Sequence, residues 1–193
     1  MAGRPRNFDI EQVLERAMLL FWKQGYEATG LVELERATGL GRQSLYGVFG
    51  DKRGLFLAVV EHYFSRVLKP GFDVLDAPGS ARENLERVFA GWEATATLPD
   101  FHGCLIGNSV PELSAKDEDI AALLCRKLEL MEGAFVRVLR RAKRDGEVRS
   151  ELDVKNTARA LLTLAQGLSV VARAQRDPAF VRSVVQAARS LLD

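Results

Sequence analysis

The chain has 193 residues, 47% of them hydrophobic and 27% charged, the balance of a folded globular protein and not of a disordered or fibrous one. Its apolar runs, such as 56–60, fall far short of the roughly 18 to 20 residues that a membrane-crossing helix needs, so no membrane partner is expected. The formal net charge of +1 divides into 10 Lys/Arg against 8 Asp/Glu over 1–69 and 17 against 18 over 70–193, so a polyanion partner has to be argued from local placement.

The opening Met-Ala-Gly-Arg-Pro-Arg is basic but leads into Asn7, Asp9 and Glu11 and not into an apolar stretch. No secretory signal is read, and the cytoplasm is the expected location. Ile10, Val13, Leu14, Ala17 and Phe21 then recur at helical spacing, with Asp9 and Gln12 as a capping-box-like start and Gly25 as a stop. A short helix is predicted from Leu31 to Thr38, closed by Gly39, and another from Arg42 to Phe49, closed by Gly50. Asp51 is the expected N-cap of a fourth helix, with Leu55, Val59, Phe64 and Val67 on its apolar face until Pro70 and Gly71 interrupt it.

Further helices are predicted at about 80–97, 103–114, 117–145, 153–175 and 178–192. Ile120, Leu123, Leu124, Leu128, Met131, Phe135, Val138 and Leu139 give the long one a single apolar stripe. The helix from Asp153 is apolar nearly all round, which predicts burial on more than one side. The expected fold class is therefore all-α with about nine helices. Residues 1–50 are read as a three-helix domain with a basic arm and 51–193 as a second helical domain, with the helix over 51–69 joining them.

Two short helices meeting at a glycine-bearing turn form a helix-turn-helix, in which the N-terminal end of the second helix enters the major groove. Gly39 supplies the left-handed turn, Leu34, Leu40, Leu45 and Phe49 are the candidate small core, and Arg42, Gln43 and Ser44 cluster at that end. Arg suits guanine and Gln adenine as bidentate partners. Gly39, Leu45, Tyr46, Phe49 and Lys52 together resemble the motif of the TetR family of regulators over residues 8–64, and the Gly-Cys-Leu-x-x-Asn segment at 103–108 resembles that of one subgroup. The resemblance implies that Thr29, Tyr46 and Lys52 bind backbone phosphates of double-stranded DNA while Arg42, Gln43 and Ser44 face base edges. Family members often carry a small residue where Glu35 stands and a bulky or basic one where Gly47 stands; Glu35 is expected to point away from the helix crossing, and Gly47 to let the backbone approach DNA. Gly3-Arg4-Pro5-Arg6 resembles the core of an AT-hook, with Arg4 and Arg6 as candidate minor-groove contacts or simply a basic tail.

The basic run Arg137, Arg140, Arg141, Lys143 and Arg144 ends a long helix and is read as a solvated helix end that complements the macrodipole. His62 and His102 have no metal-ligand or triad spacing, so neither an enzyme nor a cofactor is expected. The resemblance also implies an effector cavity, for which Phe89, Trp92, Phe101, Met131 and Phe135 are candidate walls and His102 and Asn108 candidate polar anchors. Cys104, also a candidate pocket residue, is either a buried inert thiol or, near a helix N-terminus, a sensor of electrophiles or oxidants. For a homodimer, the candidate interface is Leu161, Leu164, Leu168 and Val171 together with the stripe Val181, Val184, Val185, Ala188 and Leu192. The function so read is that of a ligand-released DNA-binding repressor. An activator on the same fold, or a helical interaction module, is the alternative.

Overall fold

The computed structural model describes residues 8–193; Arg4 and Arg6 of the expected basic arm lie outside them. Two compact units are present, one ending at Tyr63 and the other running Phe64–Asp193. Secondary structure among the described residues is entirely helical, with nine α-helices of eight residues or more.

In the first unit α1 (Ile10–Gln24), α2 (Leu31–Thr38), α3 (Arg42–Phe49) and α4 (Lys52–Tyr63) follow one another with short turns. The Asp9 carboxylate accepts from the Glu11 N–H at 2.9 Å and caps α1. Gly39 ends α2 in the left-handed conformation at φ 74°, its N–H donating to the Glu35 carbonyl. The core joins Val13, Ala17, Met18 and Phe21 of α1 to Leu34, Leu45 and the α4 residues Leu55, Phe56, Val59, Val60 and Tyr63. Edge-to-face ring pairs hold it: Phe21 with Phe56 at 5.2 Å, Tyr26 with Phe56 at 4.9 Å and Trp22 with Tyr63 at 5.0 Å. Of the expected small core, Leu34 and Leu45 are buried whereas Leu40 and Phe49 are only half-buried.

The apolar face of α4 points at α1, so α4 is part of the first unit. The division expected after residue 50 falls here after Tyr63. The single helix expected over 51–69 is also corrected. The second unit opens with a π-helical turn over Phe64–Leu68, then α5 (Lys69–Asp73) and a 3-10 turn over Val74–Asp76. Pro70 and Gly71 lie inside α5 instead of interrupting a helix, since a first-turn proline lacks only an N–H that would have no helical partner.

The rest of the second unit is α6 (Ala81–Ala96), α7 (Leu105–Leu113), α8 (Glu118–Arg144), α9 (Val154–Val171) and α10 (Pro178–Ser190). α8 packs on α6, α7 and α9, and α10 packs on α6 and α9. The predicted stripe of α8 is buried apart from the half-buried Leu128, and Lys127 stands within it, its ammonium 4.7 Å from the Phe64 ring centroid. The basic end of α8 is tied down, not simply solvated. Arg137 makes a bidentate ion pair with Asp76, which holds its guanidinium pKa above the ordinary value, Arg141 donates to the Leu75 carbonyl and Lys143 to that of Leu152.

α9 meets neighbours on several sides, as its composition requires. Its inward residues, however, correct the expected dimer face. Leu161 and Leu168, with Val181, Val185, Ala188 and Leu192 from 178–192, all belong to the protomer's own core. Leu164 and Val184 are half-buried at its margin, and only Val171 of that set is exposed. The reason is that an amphipathic stripe of one chain is covered first by that chain's own helices; α6, α8 and α9 cover it here.

Candidate nucleic-acid interface

The N-cap of α3 is Gly41, which has no side chain with which to cap it. The cap comes from α2 instead: the Arg42 N–H donates to Glu35 Oε1 at 2.6 Å. Glu35 therefore turns toward the helix crossing, contrary to the expectation that it points away, because an uncapped first-turn amide and the positive end of the α3 dipole attract a carboxylate. The wholly buried Leu45 anchors α3, and this leaves Arg42, Gln43 and Ser44 exposed together on its first turn. The Arg42 guanidinium lies 5.8 Å from the centroid of the half-buried Tyr46 ring. Gly47 is exposed, and a Cβ added there meets nothing within 4 Å, so the backbone is bare on that face.

Lys52 begins α4 with its ammonium 4.4 Å from the Tyr26 ring centroid, while Asp51 caps that helix by accepting from the Gly54 N–H at 2.7 Å. Thr29 is placed differently from the expected phosphate ligand. It is completely buried, donates its hydroxyl to the Gly25 carbonyl at 2.6 Å and accepts from Gln24 Nε2 at 3.3 Å. Its side chain shapes the turn ahead of α2. Glu33 completes that turn by accepting from the Gly30 N–H at 2.9 Å.

Of the effector candidates in the second unit, Phe89, Trp92 and Phe135 come together: Trp92 lies 5.2 Å from Phe89 and 6.2 Å from Phe135, and Phe72 joins from α5 at 5.7 Å from Phe135. Phe101 is half-buried against the same core. His102, Cys104 and Asn108 form a separate group at the start of α7. Asn108 Nδ2 donates to the His102 carbonyl at 2.8 Å, and Cys104 is the buried N-cap residue of α7. Gly103 has a left-handed φ of 77°, and a Cβ there would lie 2.5 Å from the Ser169 carbonyl oxygen, so conformation and packing both call for glycine. Cys125 is the exposed thiol, 3.6 Å from the Glu129 carboxylate.

Sequence reasoning missed Gln166. Its Oε1 is buried with no hydrogen-bond partner, its Nε2 meets only the Met131 sulfur at 3.8 Å, and a side chain on Gly107 would collide with it. The available signal was an amide within the otherwise apolar run of α9. Among the described residues, no group of three or more His, Cys, Asp or Glu could hold a metal ion, and no helix is long and apolar enough to cross a membrane.

Comparison with known proteins agrees with this architecture. Residues 81–188 match the family described as "Tetracyclin repressor-like, C-terminal domain" and residues 13–59 match "Bacterial regulatory proteins, tetR family". The chain is 35% identical over 193 residues to the uncharacterized HTH-type transcriptional regulator YezE of Bacillus subtilis (strain 168), covering 99% of this chain and 100% of that protein. It is 35% identical over 173 residues to the HTH-type transcriptional repressor ComR of Escherichia coli (strain K12), covering 89% and 82%. Among solved structures, a cysteine mutant of the TetR family transcriptional regulator CifR, complexed with 26 bp double-strand operator DNA, superposes with a TM-score of 0.86 at 32% identity over 96% of this chain and 97% of that one.

Proposed function

Because the chain belongs to the TetR family of DNA-binding transcriptional regulators, we propose that it is a homodimeric repressor that reads its operator with the first turn of α3. The observation that carries this reading is the exposed triplet Arg42, Gln43 and Ser44, fixed by the buried Leu45 on the second helix of a helix-turn-helix. The triplet carries donors and acceptors suited to base edges, while Tyr46 and Lys52 beside it in sequence supply phosphate contacts. A carrier of such contacts acts where the chromosome is, in the cytoplasm. The test is a gel shift on selected DNA: Gln43→Ala changes which base is preferred at one position per half-site, while Tyr46→Phe weakens binding on every sequence. Equal losses on all sequences for both variants would overturn this assignment.

The dimer face consistent with the burial pattern is the outer side of α9, where Thr163, Gly167, Val170 and Val171 are exposed at helical spacing and Val170 and Val171 leave 52% and 40% of their surface uncovered. For the effector, the buried Gln166 amide beside Met131 and the Cys104–Asn108 turn is the best-supported polar anchor, because a buried acceptor without a partner is stabilised by any ligand that donates to it. The Gly103-Cys104-Leu105-x-x-Asn108 segment that builds this turn is read as a subgroup feature. Effector binding there favours a conformation whose two reading heads no longer match the operator.

A further inference from the structure

We propose that Glu35 is a specificity-determining positioning residue, a built-in cap that holds the first turn of α3 in its base-reading geometry and holds nonspecific phosphate away. This rests on α3 being the reading helix. Three observations carry it. The N-cap position of α3 is a glycine with no side chain to accept the first-turn amides. The Arg42 N–H instead donates to Glu35 Oε1, at 2.6 Å and from a different helix. Arg42, whose amide is held, is itself the first of the three exposed side chains.

The physical consequences separate into two parts. The hydrogen bond ties the start of α3 to the last turn of α2, so that the rotamers of Arg42 and Gln43 are launched from a fixed backbone; an N-cap acceptor replaced by alanine typically costs about 1 kcal/mol. The charge acts otherwise. A carboxylate at the positive end of α3 occupies the place where a helix N-terminus draws a phosphate, and so it weakens binding to DNA whose bases are wrong while leaving base contacts intact. A glutamine at 35 keeps the acceptor and removes the charge, whereas an alanine removes both.

The experiment measures, for wild type, Glu35→Gln and Glu35→Ala, the affinity for the selected operator and for a scrambled duplex of equal length, over a series of salt concentrations. Glu35→Ala is expected to lose about fivefold in operator affinity, and Glu35→Gln to keep its operator affinity, so that its operator-to-scrambled ratio falls only by the tightening on scrambled DNA. Both variants are expected to bind scrambled DNA about two- to threefold more tightly at low salt. Amide exchange in the DNA-free protein supplies a readout independent of binding: protection of the Arg42 N–H falls in the alanine variant and is retained in the glutamine variant. An unchanged ratio in Glu35→Ala, or equal losses in both variants, overturns the proposal while Gln43→Ala still alters base preference. Should neither Gln43→Ala nor Glu35→Ala alter preference, α3 is not the reading helix and the proposal fails with it.

Discussion

Thr29 and Lys52 illustrate how two residues assigned the same phosphate-binding role by family resemblance separate once their surroundings are known. The Thr29 hydroxyl is committed inside the protein, to the Gly25 carbonyl and the Gln24 amide. Thr29→Val should therefore lower unfolding stability by about 1 kcal/mol, through loss of a buried hydrogen bond, and leave the salt dependence of DNA binding unchanged. Lys52 holds a charge at the start of α4, against a ring face. Lys52→Ala should leave stability almost unchanged and reduce the salt slope of DNA binding by about 1. Denaturant titration and binding at several salt concentrations check the pair together. At this scale the exposed triplet 42–44 was legible in the sequence, because its position at a helix start follows from Gly39 and Leu45. The swing of Glu35 onto Arg42 was not, since that partner is fixed only by the crossing of two helices, and neither was the inward turn of Thr29, whose partners Gly25 and Gln24 are set by the path of the turn after α1.

Among elements, glycines at the two ends of one surface have opposite meanings. A Cβ at Gly54 would lie 2.0 Å from the Phe49 carbonyl oxygen, so the first turn of α4 abuts the last residue of α3. Gly54→Ala should cost about 2 to 3 kcal/mol through that overlap, read as a lowered denaturation midpoint. Gly47, mid-helix with open space around it, should behave the other way: Gly47→Ala should stabilise the DNA-free protein by about 0.5 to 1 kcal/mol and weaken DNA binding, because the added methyl stands where the backbone approaches the duplex. A Gly47→Ala variant that bound DNA as tightly as wild type would remove the close approach. Helix starts and stops were largely legible, because Asp9, Asp117, Asp153 and Asp177 cap and Gly25, Gly39 and Gly50 stop. The π-helical and 3-10 turns over 64–76 were not. Their partners come from a distance, Arg137 and Arg141 reaching Asp76 and Leu75 of the 3-10 turn from the end of α8 and Lys127 lying over the Phe64 ring of the π-helical turn, and periodicity along the chain carries no trace of such contacts.

For the whole molecule, an apolar stripe in the sequence says that a face is buried but not by what. Val181, Val185, Ala188 and Leu192 are buried by their own chain, so the proposed partner-facing role falls to the residues of α9 that remain open. Val171→Glu, at a residue 40% exposed, should leave the protomer folded, since exposed substitutions typically fall within about 0.5 kcal/mol. It should shift the protein from dimer to monomer by light scattering at micromolar concentration. A dimer that persists in this variant places the interface elsewhere. The candidate effector site is legible only in part: its aromatic residues stand out in the sequence, whereas the Gln166 Oε1, buried without a partner, becomes visible only when α7, α8 and α9 are packed together.

The claim that two copies read DNA through α3 is tested most directly by sequencing the fragments that the purified full-length protein selects from random duplex DNA. Two reading heads related by a two-fold axis require an enriched inverted repeat, with half-sites centred about one helical turn or a multiple of it apart, whose base preference at one position in each half changes in the Gln43→Ala protein. Enrichment of no sequence, of a single unrepeated site, or of the same repeat unchanged by Gln43→Ala would contradict it.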